Sequence, residues 1–197
     1  MRKFNYKKSI QLLNFFACKS GKEINRMKAL KLIWLSDRLH LRVYGRPILN
    51  DTYYAMKLGP VASKTSNLVE NKDGITEKEQ TYRAKFITTK DEYHYISVQG
   101  VDFDVFSQTD RKVAEDIYEE FGNMNEFKLS DESHKYPEWK CFKMDLEKGL
   151  SRRFRMKYED FFLNAEGLDN PIFRKDVDGL LLTKELYQEN ANVMNLL

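Results

Sequence analysis

The sequence predicts an α+β fold, mainly α-helical: a compact helical domain around a central buried helix, with a small antiparallel β-hairpin. Three observations predict it. One segment, residues 25–45, is apolar on two faces at helical spacing. Helix-type periodicity bracketed by Asn, Gly and Pro covers most of the remaining chain. Only residues 83–98 alternate with a period of two. The 197 residues fit one domain at about 150 residues per domain. Their 13 Phe, 11 Tyr and 2 Trp can bury enough surface to exclude disorder as the main state.

The first helix runs from about Tyr6 to Lys19, with Ile10, Leu13 and Ala17 on one stripe and Leu12, Phe15 and Phe16 beside it. Gly21 ends it. Asn25 then caps NRMKALKLIWLSDRLHLRVYG, which closes at Gly45. Leu30, Ile33, Trp34, Asp37, Leu41 and Tyr44 share one face of this helix. Leu32, Leu35, Leu39 and Val43 form a second apolar face, and a narrow wedge carries Lys31, Arg38 and Arg42. A helix apolar on two sides is packed on two sides, so this is the central helix.

Pro47 and Asn50-Asp51 mark turns, and Tyr53 to Lys57 is a short extended piece. Gly59-Pro60 reads as the opening of a third helix, because a proline at the first helical position lacks only a hydrogen that would be unpaired anyway. Asn71 to Gly74 ends it. From Arg83 to Val98 the chain reads as a hairpin around Lys90-Asp91-Glu92. Ser107 or Thr109 caps the next helix, whose stripe is Val113, Ile117, Tyr118 and Phe121, with Gly122 past its end. A shorter helix from about Glu126 to Lys135 stops before Pro137. The last helical run begins near Asp178, with Leu182, Leu186, Val193 and Leu197 on one face. A boundary near 145 divides a core, 1–145, from a helical extension, 146–197, packed on or adjoining it.

Composition excludes more than it identifies. No apolar run approaches the roughly 20 residues of a membrane span. The basic, briefly apolar start reads as a helix rather than a signal peptide. Two isolated cysteines, Cys18 and Cys141, suit a reducing cytoplasm and form no CxxC pair. A net charge of +3 gives little steering toward nucleic acid. The phosphate-loop, dinucleotide-loop, serine-hydrolase and zinc-protease signatures are all missing, and no cofactor or metal is implied.

Several residues still invite a chemical reading. Asp131 and His134 share a helix face, the skeleton of a carboxylate-oriented general base, or a plain surface pair. Asp37 lies within an apolar face and needs a partner: Arg46, Lys57, His40 or backbone amides of the following turn. It is either a ligand-binding or catalytic carboxylate, or a buried latch holding the 46–51 turn. Arg152, Arg153, Arg155 and Lys157 could contact phosphates or an acidic protein partner, or form a solvated segment balanced by Glu147, Glu159 and Asp160. Trp139 is either core or an interface anchor.

The string KLIWLSDRLHLRVYGRPILNDTYYAMKLGPVAS, residues 31–63, resembles the Panacea antitoxin family, also described as SocA-like or GepA-like. Lys31, Leu32, Asp37, Arg38, Tyr44, Gly45, Arg46, Pro47, Asp51, Tyr53, Lys57, Gly59, Pro60 and Ser63 fall in place within it. LSDESHKYPEW supplies a second block with Leu129, Ser130, Ser133, His134 and Trp139, and the likeness covers about residues 8–145. The resemblance implies a mainly helical domain with a small β element. It also implies an antitoxin of a bacterial or phage toxin–antitoxin pair that neutralises its toxin by direct binding and is not established as an enzyme. It leaves open the toxin's identity, and whether the chain self-associates or forms a hetero-oligomer with it. Tyr53, Tyr54, Lys57, Trp139, Arg152, Arg153 and Arg155 are the expected partner-binding residues. The residues after Met144, or loops around the core, are expected to adapt this member to its toxin. The competing readings are an enzyme reversing a toxin-installed modification through Asp37, Asp131 and His134, and a DNA-binding autoregulator.

Overall fold

The structure, a computed structural model, describes residues 3–72, 74–165 and 170–195, with side chains through Asn192. In chain order the helices are α1 (Tyr6–Lys19), α2 (Arg26–Tyr44), α3 (Ser63–Glu70), α4 (Glu77–Phe86), α5 (Gln108–Phe121), α6 (Glu126–Ser133), α7 (Pro137–Lys140), α8 (Lys143–Glu147) and α9 (Val177–Asn195). The strands are β1 (Glu23–Asn25), β2 (Tyr53–Met56), β3 (Gly59–Ala62), β4 (Ile87–Thr89), β5 (His94–Ser97) and β6 (Arg153–Arg155). They form two antiparallel sheets, ordered β1-β5-β4 and β3-β2-β6. Among the described residues no helix is long and apolar enough to cross a membrane.

Helix α2 is the axis of the fold. Asn25 Oδ1 accepts from the amides of Met27 and Lys28 at 2.9 and 3.3 Å and starts the helix. Gly45, at φ 61°, ends it in the left-handed conformation. A Cβ there would also lie 2.8 Å from the Thr183 carbonyl of α9. Every residue from Ala29 to Arg42 is buried, because α1, α5, α6, α9 and β3 all pack on this helix. The wedge of Lys31, Arg38 and Arg42 therefore meets protein and not water. Arg38 Nε donates to Glu138 Oε1 at 2.7 Å. Arg42 donates to the carbonyls of Phe161, Leu163 and Phe173 at 2.9–3.0 Å and to Asn164 Oδ1 at 2.6 Å. These two arginines fasten the chain after residue 160 to the central helix.

Asp37 is the latch between α2 and the turn that follows it. Its Oδ1 accepts from the amides of Ile48 and Leu49 at 2.7 and 3.1 Å, and its Oδ2 from the Tyr53 hydroxyl at 2.9 Å. The partners are thus backbone and a tyrosine, not Arg46, Lys57 or His40. Burial pushes this carboxyl up, to about 7, against the pull of those donors. Asp51 does a similar task one turn later. Its carboxylate accepts from the amides of Lys64 and Thr65, both at 2.8 Å, and so caps α3 from a distance. Ala62, at the cap position itself, offers no side-chain bond.

Three element assignments differ from the sequence expectation. Gly59-Pro60 opens no helix: residues 59–62 are the edge strand β3, paired with β2, and α3 begins at Ser63. A proline is tolerated there because an edge strand need not donate on both sides. Residues 83–86 end α4 instead of starting the hairpin, whose strands are the shorter β4 and β5. A third strand, β1, extends that sheet. In α9 the buried leucine is Leu180, whereas Leu182 and Leu186 are exposed. The side chains of Val193 and Leu197 lie outside the described residues. The shorter helix ends at Ser133, and Pro137 opens α7.

Replacing Asp37 with Ala strands two amides and a hydroxyl inside the protein, at a cost of about 3–5 kcal/mol. The urea midpoint of Asp37→Ala is therefore expected to fall steeply, with Asp37→Asn in between. An unchanged midpoint would contradict the latch.

Candidate functional site

The sheet β3-β2-β6 turns one face inward and one outward. Alternation along β2 buries Tyr53 and Ala55 and leaves Tyr54 and Met56 partly exposed. Across the ladder Tyr54 stands opposite Arg155 on one side and Val61 on the other, and Met56 opposite Arg153. The Arg153 guanidinium reaches back over the Tyr54 ring, 4.8 Å from its centroid. Tyr54, Arg153 and Arg155 thus share one exposed face. Lys57 is exposed at the β2–β3 turn and Arg152 just before β6. The basic cluster is strand β6 with its flanks, and Arg152, Arg153, Arg155 and Lys157 are all exposed to solvent. Glu147 pairs with Lys143 at 3.8 Å.

Tyr53 and Trp139, expected beside them as partner contacts, are buried at 2% and 4% exposure. They support the face from beneath. Tyr53 is tied to Asp37, and Trp139 Nε1 donates to the Met56 carbonyl at 2.9 Å. A cleft of about 470 Å³ adjoins Arg155, between the 45–52 turn, residues 155–159 and α9. Its walls include Pro47, Met156, Tyr158 and Tyr187, with Arg155 and Lys157 among the cations on it.

A polar knot lies under the hairpin turn. Lys31 Nζ donates to the Pro60 carbonyl at 2.9 Å, and no carboxylate pairs with it among the described residues. Burial alone pushes its amine down, to about 7. Gly59, at φ +97°, fits because a Cβ would collide with Lys31 Nζ and Ser133 Oγ. Ser130 Oγ donates to the Leu58 carbonyl at 2.9 Å and holds the turn against α6. His134 stacks on Trp139, ring centroids 3.8 Å apart. Burial, followed by the charge of Lys31, holds its imidazole below the ordinary histidine value.

The remaining motif residues are structural. Arg46 donates to Ser107 Oγ, Thr109 Oγ1 and Asp110 Oδ1 at 3.0–3.3 Å. His40 bridges the Arg46 carbonyl at 2.7 Å and Thr109 Oγ1 at 3.0 Å. Tyr44 packs on His40. Asp37, Asp131 and His134 do not assemble into a catalytic set. Both oxygens of Asp37 are taken by Ile48, Leu49 and Tyr53, Asp131 is exposed, and His134 leans on Trp139. Sequence reasoning missed Asp110, the hub of the Arg46 network. Its signal was the Ser-x-x-Asp spacing of 107–110, which the structure shows as a capping box.

Residues 30–140 match the family described as antitoxin SocA-like, Panacea domain, more than half of the chain. The chain belongs to this SocA-like Panacea antitoxin family. No curated protein and no solved structure matches it. The Panacea span holds α2 from Leu30 onward, β2, β3 and the polar knot, whereas β6, with Arg153 and Arg155, lies beyond it. The exposed sheet face is therefore built from both sides of the family boundary.

The lysine in the Panacea knot has a pH signature. Unfolded Lys31 titrates near 10.5 and folded Lys31 near 7. Between those values the unfolded chain binds the extra proton, so stability rises with pH across the window, and below it the folded chain carries the full cost. Lys31→Met removes this dependence. The variant's stability relative to the natural chain is expected to be highest at about pH 6 and to decline toward about pH 9.5. A difference that does not vary with pH would contradict an uncompensated buried amine.

Proposed function

We propose that this protein is the antitoxin of a toxin–antitoxin pair and neutralises its toxin by direct binding through the outer face of β3-β2-β6. The observation that supports it is the gathering of Tyr54, Arg153 and Arg155 on one exposed face with no ion pair to Arg153 or Arg155 among the described residues. Tyrosine and arginine are the residue types that anchor protein interfaces, where they lose water against a partner pocket. Unpaired guanidiniums favour an acidic partner surface, which speeds encounter and fixes orientation. A specific contact of this kind buries about 1,200–2,000 Å² in total. The adjoining cleft and the β2–β3 turn extend the sheet face.

In this proposal residues 1–145 are the scaffold shared with other antitoxins, and 146–197 carry the adaptation to one toxin. Deleting 146–197 would not test it cleanly. The deletion removes the strand paired to β2 and the buried Phe161 and Phe162, so it attacks folding as well as binding.

Charge reversal does test it. Arg153→Glu combined with Arg155→Glu is expected to change stability by about 0.5 kcal/mol or less, as exposed substitutions do. Binding to the protein encoded beside it is expected to weaken by about 30-fold or more, roughly 2 kcal/mol. Growth rescue on co-expression should fail. Full rescue and undiminished co-purification by the folded double variant would contradict the proposed interface.

A further inference from the structure

Strand β6 is an outer strand of its sheet: among the described residues it pairs with β2 on one side and with no strand on the other. The ladder fixes which of its backbone groups are spent. The Met156 amide donates to the Tyr53 carbonyl at 3.0 Å. By antiparallel alternation Phe154 and Met156 then face β2, while the amides and carbonyls of Arg153, Arg155 and Lys157 face the outer edge. At Arg153 the chain blocks that edge itself, because Ser151 Oγ donates to the Arg153 carbonyl at 2.9 Å and accepts from its amide at 3.3 Å. The Lys157 carbonyl accepts from the Asp160 amide at 3.2 Å. The Arg155 amide, the Arg155 carbonyl and the Lys157 amide have no partner among the described residues.

The opposite edge of the sheet is protected. Strand β3 carries Pro60, whose carbonyl Lys31 holds, and α2 and α6 pack on that strand. Sheet edges are commonly blunted in these ways. The stretch left open, residues 155–157, is one wall of the cleft of about 470 Å³. Lys157 is still extended, at φ −102° and ψ 138°, so strand alternation carries through it. Arg155 and Lys157 stand on one side and are exposed, and Met156 turns to the other and is buried. Two further charges on the cleft are already engaged, Arg46 by Asp110 and Asp51 by the amides of residues 52, 64 and 65. That leaves Arg155 and Lys157 against Glu159 alone, an excess of positive charge along the open edge.

We propose that an extended segment of the partner joins β6 as a fourth, antiparallel strand along residues 155–157, with the side-chain pattern acid, apolar, acid. The acids stand opposite Arg155 and Lys157, and the apolar side chain opposite Met156 enters the cleft. Main-chain bonds to the open edge supply affinity, and the alternating side chains supply specificity. This inference rests on the interface proposed above and names the form of partner it takes.

The probe is a short labelled peptide in which glutamate and valine alternate, added to the full chain. Fluorescence anisotropy is expected to give a Kd of about 100 μM or tighter. Lys157→Pro removes one open-edge amide and no bond to β2, so its unfolding midpoint should stay close to that of Lys157→Gln. It should bind the peptide about tenfold more weakly than Lys157→Gln, which loses the same charge and keeps the amide. N-methylation of the peptide's glutamate amides should abolish binding to the natural chain, a result that does not depend on the proline variant folding. Equal affinity of the two folded variants, or undiminished binding of the methylated peptide, would overturn the inference. So would a natural chain that does not bind the peptide; if Arg153→Glu with Arg155→Glu still loses the toxin, the outer face stands and strand addition alone falls. Conversely, peptide bound at the edge while the toxin tolerates Lys157→Pro and the double charge reversal supports strand addition and removes the interface reading. A natural chain that dimerises in sedimentation and becomes monomeric as Lys157→Pro places a second copy on this edge, which also overturns the partner strand.

Discussion

Fourteen consecutive residues of α2 are buried, and that leaves no water to satisfy the polar groups among them. Each such group has to find its partner within the protein, and each partner fixes another part of the chain. Asp37 takes the amides of 48 and 49 and the hydroxyl of Tyr53. His40 and Arg46 bring the start of α5 to the end of α2. Lys31 reaches the hairpin, and Arg38 and Arg42 reach Glu138, Phe161, Leu163, Asn164 and Phe173. The hydrophobic core supplies most of the driving force for folding. These tethers decide where the irregular segments go.

The same constraint separates scaffold from surface. Many residues of the Panacea motif act inward: Asp37, Asp51, Tyr53 and Gly59 set the hairpin, while Trp139 and His134 brace its underside. In this chain the motif residues present the β2–β3 hairpin. The outward side of that hairpin combines Tyr54 with Arg153 and Arg155, the latter two from beyond the matched span. Specificity placed on such a composite face can change without disturbing the tethers beneath it.

The helical part of this architecture was legible because its signals are local. Asn25 and Gly45 bracket α2, and Ser107 and Gly122 bracket α5, as capping chemistry dictates. Helix α4 was not legible as a helix. Its buried residues are Arg83 and Phe86 alone, so it has no apolar stripe, and the remaining clue was the Thr76–Glu79 capping box. Arg83 is buried because it donates to the carbonyls of Leu68 and Val69, which no periodicity reports. Strand β6 is three residues long and pairs with a strand about a hundred positions earlier, so its pattern RFR reads equally as a basic loop. Of the proposed face, the residue types were visible in the sequence, but their common side of one sheet was not. Tyr53 and Trp139 could be read as support or as contact, because aromatic character does not distinguish the two, and both are buried supports.

The tethered interior of this protein holds the sheet β3-β2-β6 with one face outward. Hydrogen–deuterium exchange of the chain alone and with its proposed toxin partner tests the interior and the outer face at once. The account predicts that backbone amides of α2 are strongly protected in both states, and that new protection on binding gathers at the β2–β3 turn and residues 151–157. New protection confined to other surfaces, with the turn and β6 exchanging as in the free chain, would contradict it.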